Sequence, residues 1–278
     1  MSFLAALVNG VAADSLPLAD RALHYGDGVF ETMHAVGGRI PLLARHLARL
    51  ELGCARLGIA PQDPRVLLRE LTGLAESTDA GVVKLIVSRG TGGRGYRPGE
   101  GESTRIALAY ARDAHSPDKF RDGVTVGWCA LRLARSDALA GIKHLNRIEQ
   151  VLASAEREQA GWYEGLLCDQ AGRVVSAISA NVFVRFGATL ATPDVSRAGV
   201  AGVARGWLLD EPPAGLDVAI RDMLPREIHE ADEVFLTSAL RGVVPVVALG
   251  ERRWAVGAAA RAARERFEAI GIGAEPAP

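Results

Sequence analysis

Runs of alternating apolar residues and runs with apolar residues three and four apart interleave along the whole chain. Leu4–Val8 and Val11–Ala13 flank Asn9-Gly10, a dipeptide that favours the tight turn of a β-hairpin. Val29–Ala35 and Arg39–Leu43 flank Gly37-Gly38 and predict a second hairpin. His46–Leu57 carries Leu47, Leu50, Cys54 and Leu57 at helical spacing, and Pro64–Ser77 does so with Val66, Leu67, Leu71 and Leu74. Val82–Ser88 and Arg105–Tyr110 read as strands; in the second, Ile106, Leu108 and Tyr110 share one face and the small Ala107 and Ala109 the other.

Ala111–Gly123 is polar, contains Pro117 and predicts a linker. Beyond it Val124–Leu131 is a strand. Asn146–Gln159 is a helix with Ile148, Val151, Leu152 and Ala155 on one stripe. Glu164–Asp169 and Arg173–Ser176 form a hairpin across Gln170-Ala171-Gly172, and Ala180–Phe186 is a strand. Gly202–Leu209 opens a helix, Val218–Arg221, Glu233–Thr237 and Val243–Val247 are strands, and Val256–Ile270 is the last helix. The small, Pro-containing tail from Gly271 is expected to fray. The pattern is that of a mixed α/β (α+β) protein.

Composition narrows the function classes. The 278 residues include 49% hydrophobic and 23% charged positions, with a formal net charge of −1. A nucleic-acid binder usually carries a basic excess, so none is expected as partner. No apolar run approaches the roughly 20 residues of a membrane span, so no membrane is expected either. The apolar start Met1–Val8 lacks a basic flank and is interrupted by Asn9-Gly10, which argues against a signal peptide. Cys54, Cys129 and Cys168 are few and far apart, so neither disulfides nor a metal site is expected, and the cytoplasm is the expected compartment.

Gly90-Thr91-Gly92-Gly93-Arg94-Gly95 fits G-x-G-x-x-G after a strand, but Tyr96-Arg97-Pro98-Gly99 cannot open the helix that a dinucleotide site requires. The segment reads instead as a flexible loop on the substrate side. Against 29 arginines the chain has three lysines, Lys84, Lys119 and Lys143. Lys119 sits among polar residues and reads as solvated. Lys84 lies on the strand face opposite Val83, Leu85 and Val87, either solvent-facing or buried and paired. Lys143 closely precedes a well-patterned helix. There it is either a surface lysine or an amine held by rigid neighbours, whose partial burial would make it a nucleophile.

Gly141-Ile142-Lys143-His144-Leu145-Asn146-Arg147 resembles the lysine segment of the fold-type IV family of pyridoxal-phosphate enzymes, in its aminodeoxychorismate-lyase branch. Tyr25-Gly26-Asp27-Gly28-Val29-Phe30-Glu31-Thr32 and Arg45-His46-Leu47-Ala48-Arg49-Leu50 are similar to that family's early strand and first helix. Ser88-Arg89-Gly90-Thr91-Gly92-Gly93-Arg94-Gly95-Tyr96 is similar to the lyase branch in particular. The resemblance implies a homodimer with a small N-terminal α/β domain (1–112), a linker (113–122) and a larger C-terminal domain (123–278), and pyridoxal 5'-phosphate bound between the domains. It implies that Lys143 carries the cofactor as a Schiff base and shuttles protons. Arg49, the backbone N–H groups of Val203 and Ala204, and the loop Thr237-Ser238-Ala239, through Ser238 and Ala239, would hold the phosphate. The reaction implied takes 4-amino-4-deoxychorismate to 4-aminobenzoate and pyruvate. Its substrate is a small dicarboxylate, for which Arg94 and Arg105 are the candidate contacts, with Thr32 and Asn146 also facing the site.

One position departs from the family. Where it places a glutamate against the pyridine nitrogen, five residues before Asn181, this chain has Ser176. Three explanations stay open: the elimination tolerates a hydroxyl, another acid such as Glu164 or Asp169 takes the place, or activity is lost or changed. The alternatives to the lyase are a fold-type IV aminotransferase and a binding protein that kept the fold.

Overall fold

The computed structural model describes residues 3–77, 81–99, 101–111 and 121–273. Most of the expected linker, together with Lys119 and the end of the tail, lies outside the described residues. The chain divides into two compact units. The first takes in the described residues of Met1–Ala114 and the short segment Ile142–Asn146. The second takes in those of His115–Gly141 and Arg147–Glu275.

The first unit is a five-stranded antiparallel sheet with helices on one face. Its strands are β1 (Ala5–Val8), β2 (Val11–Ala12), β3 (Gly28–His34), β4 (Val82–Ser88) and β5 (Thr104–Tyr110), in the order β2-β1-β5-β4-β3. Asn9 and Gly10 both have positive φ, 50° and 85°, as the hairpin turn between β1 and β2 requires. After β1 and β2 comes the short α1 (Arg21–Tyr25), which Asp20 caps by accepting from the Ala22 N–H. Helices α2 (Leu43–Leu57) and α3 (Pro64–Ser77) bury Leu50, Cys54, Leu67, Leu71 and Leu74 against Val29, Met33, Val83, Leu85, Ala107 and Ala109. The small alanines of β5 therefore face the helices. The opposite sheet face carries Phe30, Thr32, Lys84, Ile86 and Leu108.

The second expected hairpin does not form. Val36 and Arg39 make one isolated bridge across Gly37-Gly38, and Leu42 then turns with φ 58° directly into α2. β3 pairs with β4 instead, in register from Gly28 opposite Ser88 to His34 opposite Val82.

The second unit is built on a larger mixed sheet. Its strands are β6 (Val124–Leu133), β7 (Glu164–Asp169), β8 (Val174–Ala177), β9 (Asn181–Phe186), β10 (Thr189–Pro193), β11 (Asp217–Arg221), β12 (Glu233–Ser238), β13 (Gly242–Leu249) and β14 (Arg252–Arg253). They run in the order β11-β10-β9-β12-β13-β6-β7-β8, with β14 on β13. One face buries Val124, Leu166, Val182, Val184, Val234, Leu236, Val244 and Val246. On the other, Phe183 and Phe235 stack with centroids 5.4 Å apart. The helices are α4 (Ile148–Ala160), α5 (Val203–Asp210), α6 (Pro225–Glu230) and α7 (Ala258–Ala269).

The apolar stripe of α4 does not face this core. Ile148, Val151 and Leu152 are 66, 61 and 54% exposed, whereas Ala153 is fully buried. Two acids make the inward attachment: Glu156 accepts from the N–H groups of Ala130 and Leu131, and Glu149 from that of Ala134. Small and acidic residues dock the helix, and the larger apolar side chains are left outside the unit.

Candidate active site

Lys143 sits in an irregular segment laid along the edge of β3. The Phe30 N–H donates to the Lys143 carbonyl at 2.9 Å, and the Leu145 N–H donates to Gly28 at 2.9 Å. Asn146 Nδ2 donates to the Gly26 carbonyl at 3.1 Å, so Asn146 anchors the segment. Lys143 Nζ lies 4.2 Å from the centroid of the Phe30 ring. Lys84 Nζ lies 5.3 Å from the same centroid. Thr32 is directly opposite Lys84 across β3 and β4. Phe30 and Thr32 of β3, Lys84 of β4 and Lys143 of the segment therefore bring two amines, a hydroxyl and an aromatic ring together. Burial lowers the Lys84 pKa, and no carboxylate among the described residues offsets it.

On the helix-facing side of β3, Glu31 is fully buried and holds two partners from α2. Arg49 donates to it through Nε (2.7 Å) and Nη2 (2.5 Å), and His46 Nδ1 lies 2.6 Å from its Oε2. Residues 46 and 49 are three apart on α2, hence on one helix face. Burial pushes the Glu31 carboxyl up, but Arg49 and His46 outweigh it and hold the pKa below the ordinary value.

The glycine loop is pinned in place. The Arg21 guanidinium bonds Asp27 (2.8 Å) and the Gly95 carbonyl (3.1 Å) and lies 4.7 Å over the Tyr25 ring. The Gly95 N–H donates to Tyr25 Oη. Gly90, at φ 88°, leaves no room for a Cβ beside the Glu102 carbonyl. Arg94 on this loop is exposed. Arg105 is a different case. Its Nε and Nη2 fork onto Glu70 at 2.7 Å each, and Nη1 donates to Gln62. The expected substrate contact is instead engaged in an ion pair between β5 and α3.

In the second unit, Ser176 is buried on β8, directly opposite Leu167. Neither alternative acid can stand in for the missing carboxylate there. Glu164 is in step with Leu166, so it projects from the other sheet face. It accepts from Ser179 Oγ at 2.7 Å and pairs with Arg241 at 3.3 Å. Asp169 closes the β7–β8 turn by accepting from the N–H groups of Ala171 and Arg173.

Helix α5 starts at Gly202, which offers its first N–H groups, Val203 and Ala204 among them, no side-chain cap. A Cβ on Gly202 would collide with Asn181 Oδ1. Asn181 is the direct cross-strand partner of Thr237, so both side chains leave the sheet on one face. The Thr237 hydroxyl is buried and has no hydrogen-bond partner among the described residues. Ser238 follows, its Oγ accepting from the Arg241 backbone and Nε, and Ala239 lies in the turn beyond. An uncapped helix start, a glycine that admits close approach and an orphaned hydroxyl are what a phosphate dianion needs. The second unit thus fits the phosphate of the expected cofactor, and the position at which the family resemblance expects a carboxylate holds a buried hydroxyl, Ser176.

The sequence assigns no site role to Glu31 or His46, leaves Lys84 as a strand lysine either solvent-facing or paired, and places Thr237 in the phosphate loop without using its hydroxyl. The three-residue spacing of His46 and Arg49 was visible. The convergence of Lys84 and Lys143 on Phe30 depends on a strand pairing and a distant segment, and no local pattern announces it.

Residues 28–249 match the family Amino-transferase class IV. The aminodeoxychorismate lyase of Vibrio harveyi is 34% identical over 241 residues, which is 86% of this chain and 89% of that protein. The D-alanine aminotransferase of Bacillus licheniformis is 28% identical, over 84% and 83% of the two chains. The crystal structure of 4-amino-4-deoxychorismate lyase from Pseudomonas aeruginosa superposes with a TM-score of 0.91 at 44% identity. It covers 95% of this chain and 98% of that one.

Proposed function

The chain belongs to the class IV aminotransferase family, and we propose that within it the protein is an aminodeoxychorismate lyase, converting 4-amino-4-deoxychorismate to 4-aminobenzoate and pyruvate. The observation that carries this reading is the pair of amines at Phe30. One serves the cofactor, and the second is a cation for a substrate that has two carboxylates. The lyases among the relatives support the same choice.

Pyridoxal 5'-phosphate, when bound, supplies an electron sink next to the substrate amine. Lys143 would hold the cofactor through its amine, and that amine is then the base at the substrate carbon bearing nitrogen. Arg49, with one edge fixed by Glu31, the N–H groups of Val203 and Ala204, Thr237, Ser238 and Ala239 would hold the phosphate. Ser176 would offer the ring nitrogen a hydroxyl, a hydrogen bond without a charge. Lys84 and Arg94 bind the carboxylates, and Thr32 lies beside Lys84. Asn146 keeps the Lys143 segment on β3.

We further infer a homodimer. The exposed stripe Ile148, Val151 and Leu152 and, in the first unit, Leu18, Leu23 and Tyr96 (81, 69 and 87% exposed) are the apolar surface a second copy would cover. The three cysteines are buried and unbridged, which suits the reducing cytoplasm. No helix among the described residues is long and apolar enough to cross a membrane.

The purified protein should show a visible absorption band that borohydride fixes as a mass increment on Lys143. It should then release 4-aminobenzoate from aminodeoxychorismate with no amino acceptor added. Absence of the band sinks the cofactor assignment; turnover that needs 2-oxoglutarate replaces the lyase with an aminotransferase.

A further inference from the structure

Arg205, the third residue of α5, is only 6% exposed. Its Nε donates to Thr192 Oγ1 at 3.2 Å and its Nη2 to the Pro193 carbonyl at 3.0 Å. Both acceptors are neutral, and among the described residues no carboxylate pairs with it. Burial lowers its pKa, and Asp194 offsets this only through space. Asp194 is itself occupied by the Ser196 N–H and hydroxyl. A guanidinium remains protonated at any physiological pH. A buried cation without a counter-charge is costly, and proteins that keep one usually complete it with an anion.

Where such an anion would sit follows from the neighbours. Arg205 lies one turn from the uncapped start of α5. Thr192, which accepts from it, donates in turn to the Val182 carbonyl at 2.8 Å, next to Asn181. Asn181 abuts Gly202 and stands opposite Thr237, whose buried hydroxyl, on a residue 1% exposed, has no partner among the described residues. The unpaired charge, the open N–H groups and the orphaned hydroxyl surround one end of one helix.

We propose that Arg205 is a positioning residue of the phosphate site: without touching the anion, it supplies the buried positive charge that lets the start of α5 retain a phosphate dianion. This rests on the reading of α5 as the phosphate cradle and adds the source of its charge. The competing account is mechanical, with Arg205 acting only as a clip from α5 to β10. A clip needs the two hydrogen bonds and is indifferent to the phosphate. A charge source discriminates between ligands that carry phosphate and ligands that do not.

The test uses protein stripped of cofactor and three probes: pyridoxal 5'-phosphate, pyridoxal, and inorganic phosphate as competitor. Arg205→Met should weaken the phosphorylated probe and inorganic phosphate by about tenfold or more, the scale of one partly screened charge. Pyridoxal binding should stay as in the wild type. Arg205→Lys should keep most of the affinity. Asp194→Asn keeps an acceptor for the Ser196 N–H but removes the acid that opposes Arg205, so phosphate should bind several-fold tighter. If Arg205→Met does not fold, Arg205→Lys and Asp194→Asn decide. Equal losses for pyridoxal and its phosphate, or an unchanged phosphate affinity in both Arg205→Met and Asp194→Asn, would overturn the proposal. Wild-type protein without the borohydride-fixed band overturns the function reading instead, so the two failures are distinguishable.

Discussion

Lys143 and Phe30 are joined twice: the Phe30 N–H donates to the Lys143 carbonyl at 2.9 Å, and the Lys143 amine stands 4.2 Å from the Phe30 ring centroid. One contact fixes the backbone and the other the side chain. A face-on ammonium gains on the order of 1 kcal/mol from an aromatic ring. Phe30→Leu keeps the backbone bond and removes the ring. It should leave folding largely intact while lowering the yield of borohydride-fixed protein at limiting cofactor. An unchanged yield would mean the ring does not help place the amine.

Lys84 gives a prediction of opposite signs for stability and function. Burial depresses its pKa, so the folded state binds that proton less readily than the unfolded chain. Stability is therefore complete above the unfolded pKa, near 10.4, and is reduced as pH falls toward the folded value. Lys84→Met removes this penalty, and the melting temperature at neutral pH should rise. The same variant loses a cation for a substrate carboxylate, and a charge-assisted bond of about 1.5–3 kcal/mol predicts a KM increase of tenfold or more. A variant that melts higher and keeps its KM would show that Lys84 is not a substrate contact.

Glu31 makes the acid limb of stability specific. Its carboxyl is held below the ordinary value by Arg49 and His46 against the opposing effect of burial. Its contribution is present above the unfolded pKa, about 4.3, and is lost as pH falls through the folded one. Glu31→Gln should flatten the dependence of melting temperature on pH in that acid window. Glu31→Ala removes the buried carboxylate that Arg49 and His46 share and should cost about 3–5 kcal/mol at neutral pH. Thermal melts between pH 3 and 7 check both.

Gly202→Ala tests close approach at α5. The added methyl would meet Asn181 Oδ1, and the Asn181 Nδ2 bond to the Val200 carbonyl holds that side chain in place. Overpacking of this kind costs about 1–3 kcal/mol. The expected result is a lower melting temperature together with a loss of phosphate affinity. Gly202→Ala combined with Asn181→Ala, which removes the obstacle, should recover the melting temperature. Failure to recover would locate the strain elsewhere.

How much of this could be read from residues alone differs from element to element. Helices α2 and α3 were legible because Leu50, Cys54, Leu67, Leu71 and Leu74 repeat at helical spacing and all face one core. The β1–β2 hairpin was legible because Asn9-Gly10 encodes its own turn. Arg39–Leu43 was misread as a strand, since a Gly-Gly turn specifies a reversal but not the partner, and β4 supplies the better one. The stripe on α4 marks apolar surface correctly but not what covers it. Lys143 stood out in sequence through its neighbours, whereas Arg105 and Glu70, thirty-five residues apart, meet only once the sheet and α3 are packed.

Ser176 carries the sharpest prediction. It is buried on β8, with Glu164 committed to Ser179 and Arg241 and Asp169 to the turn, so no other acid of that hairpin supplies the charge. On the proposed placement, a hydroxyl would leave the cofactor's ring nitrogen uncharged and its electron sink weaker, which an elimination that ends in an aromatic product can tolerate. Ser176→Glu reverses this. Without cofactor, the new carboxyl is buried unpaired, with its pKa pushed up, and should destabilise the protein by about 1–3 kcal/mol. With cofactor bound, the carboxylate meets a ring nitrogen that can take the proton, and stability should return. The gap in melting temperature between cofactor-free and cofactor-loaded protein should therefore widen relative to wild type. The visible band and its pH dependence should shift, and a slow half-transamination with an amino acid should become measurable. If gap, band and pH response all match wild type, Ser176 does not face the ring nitrogen.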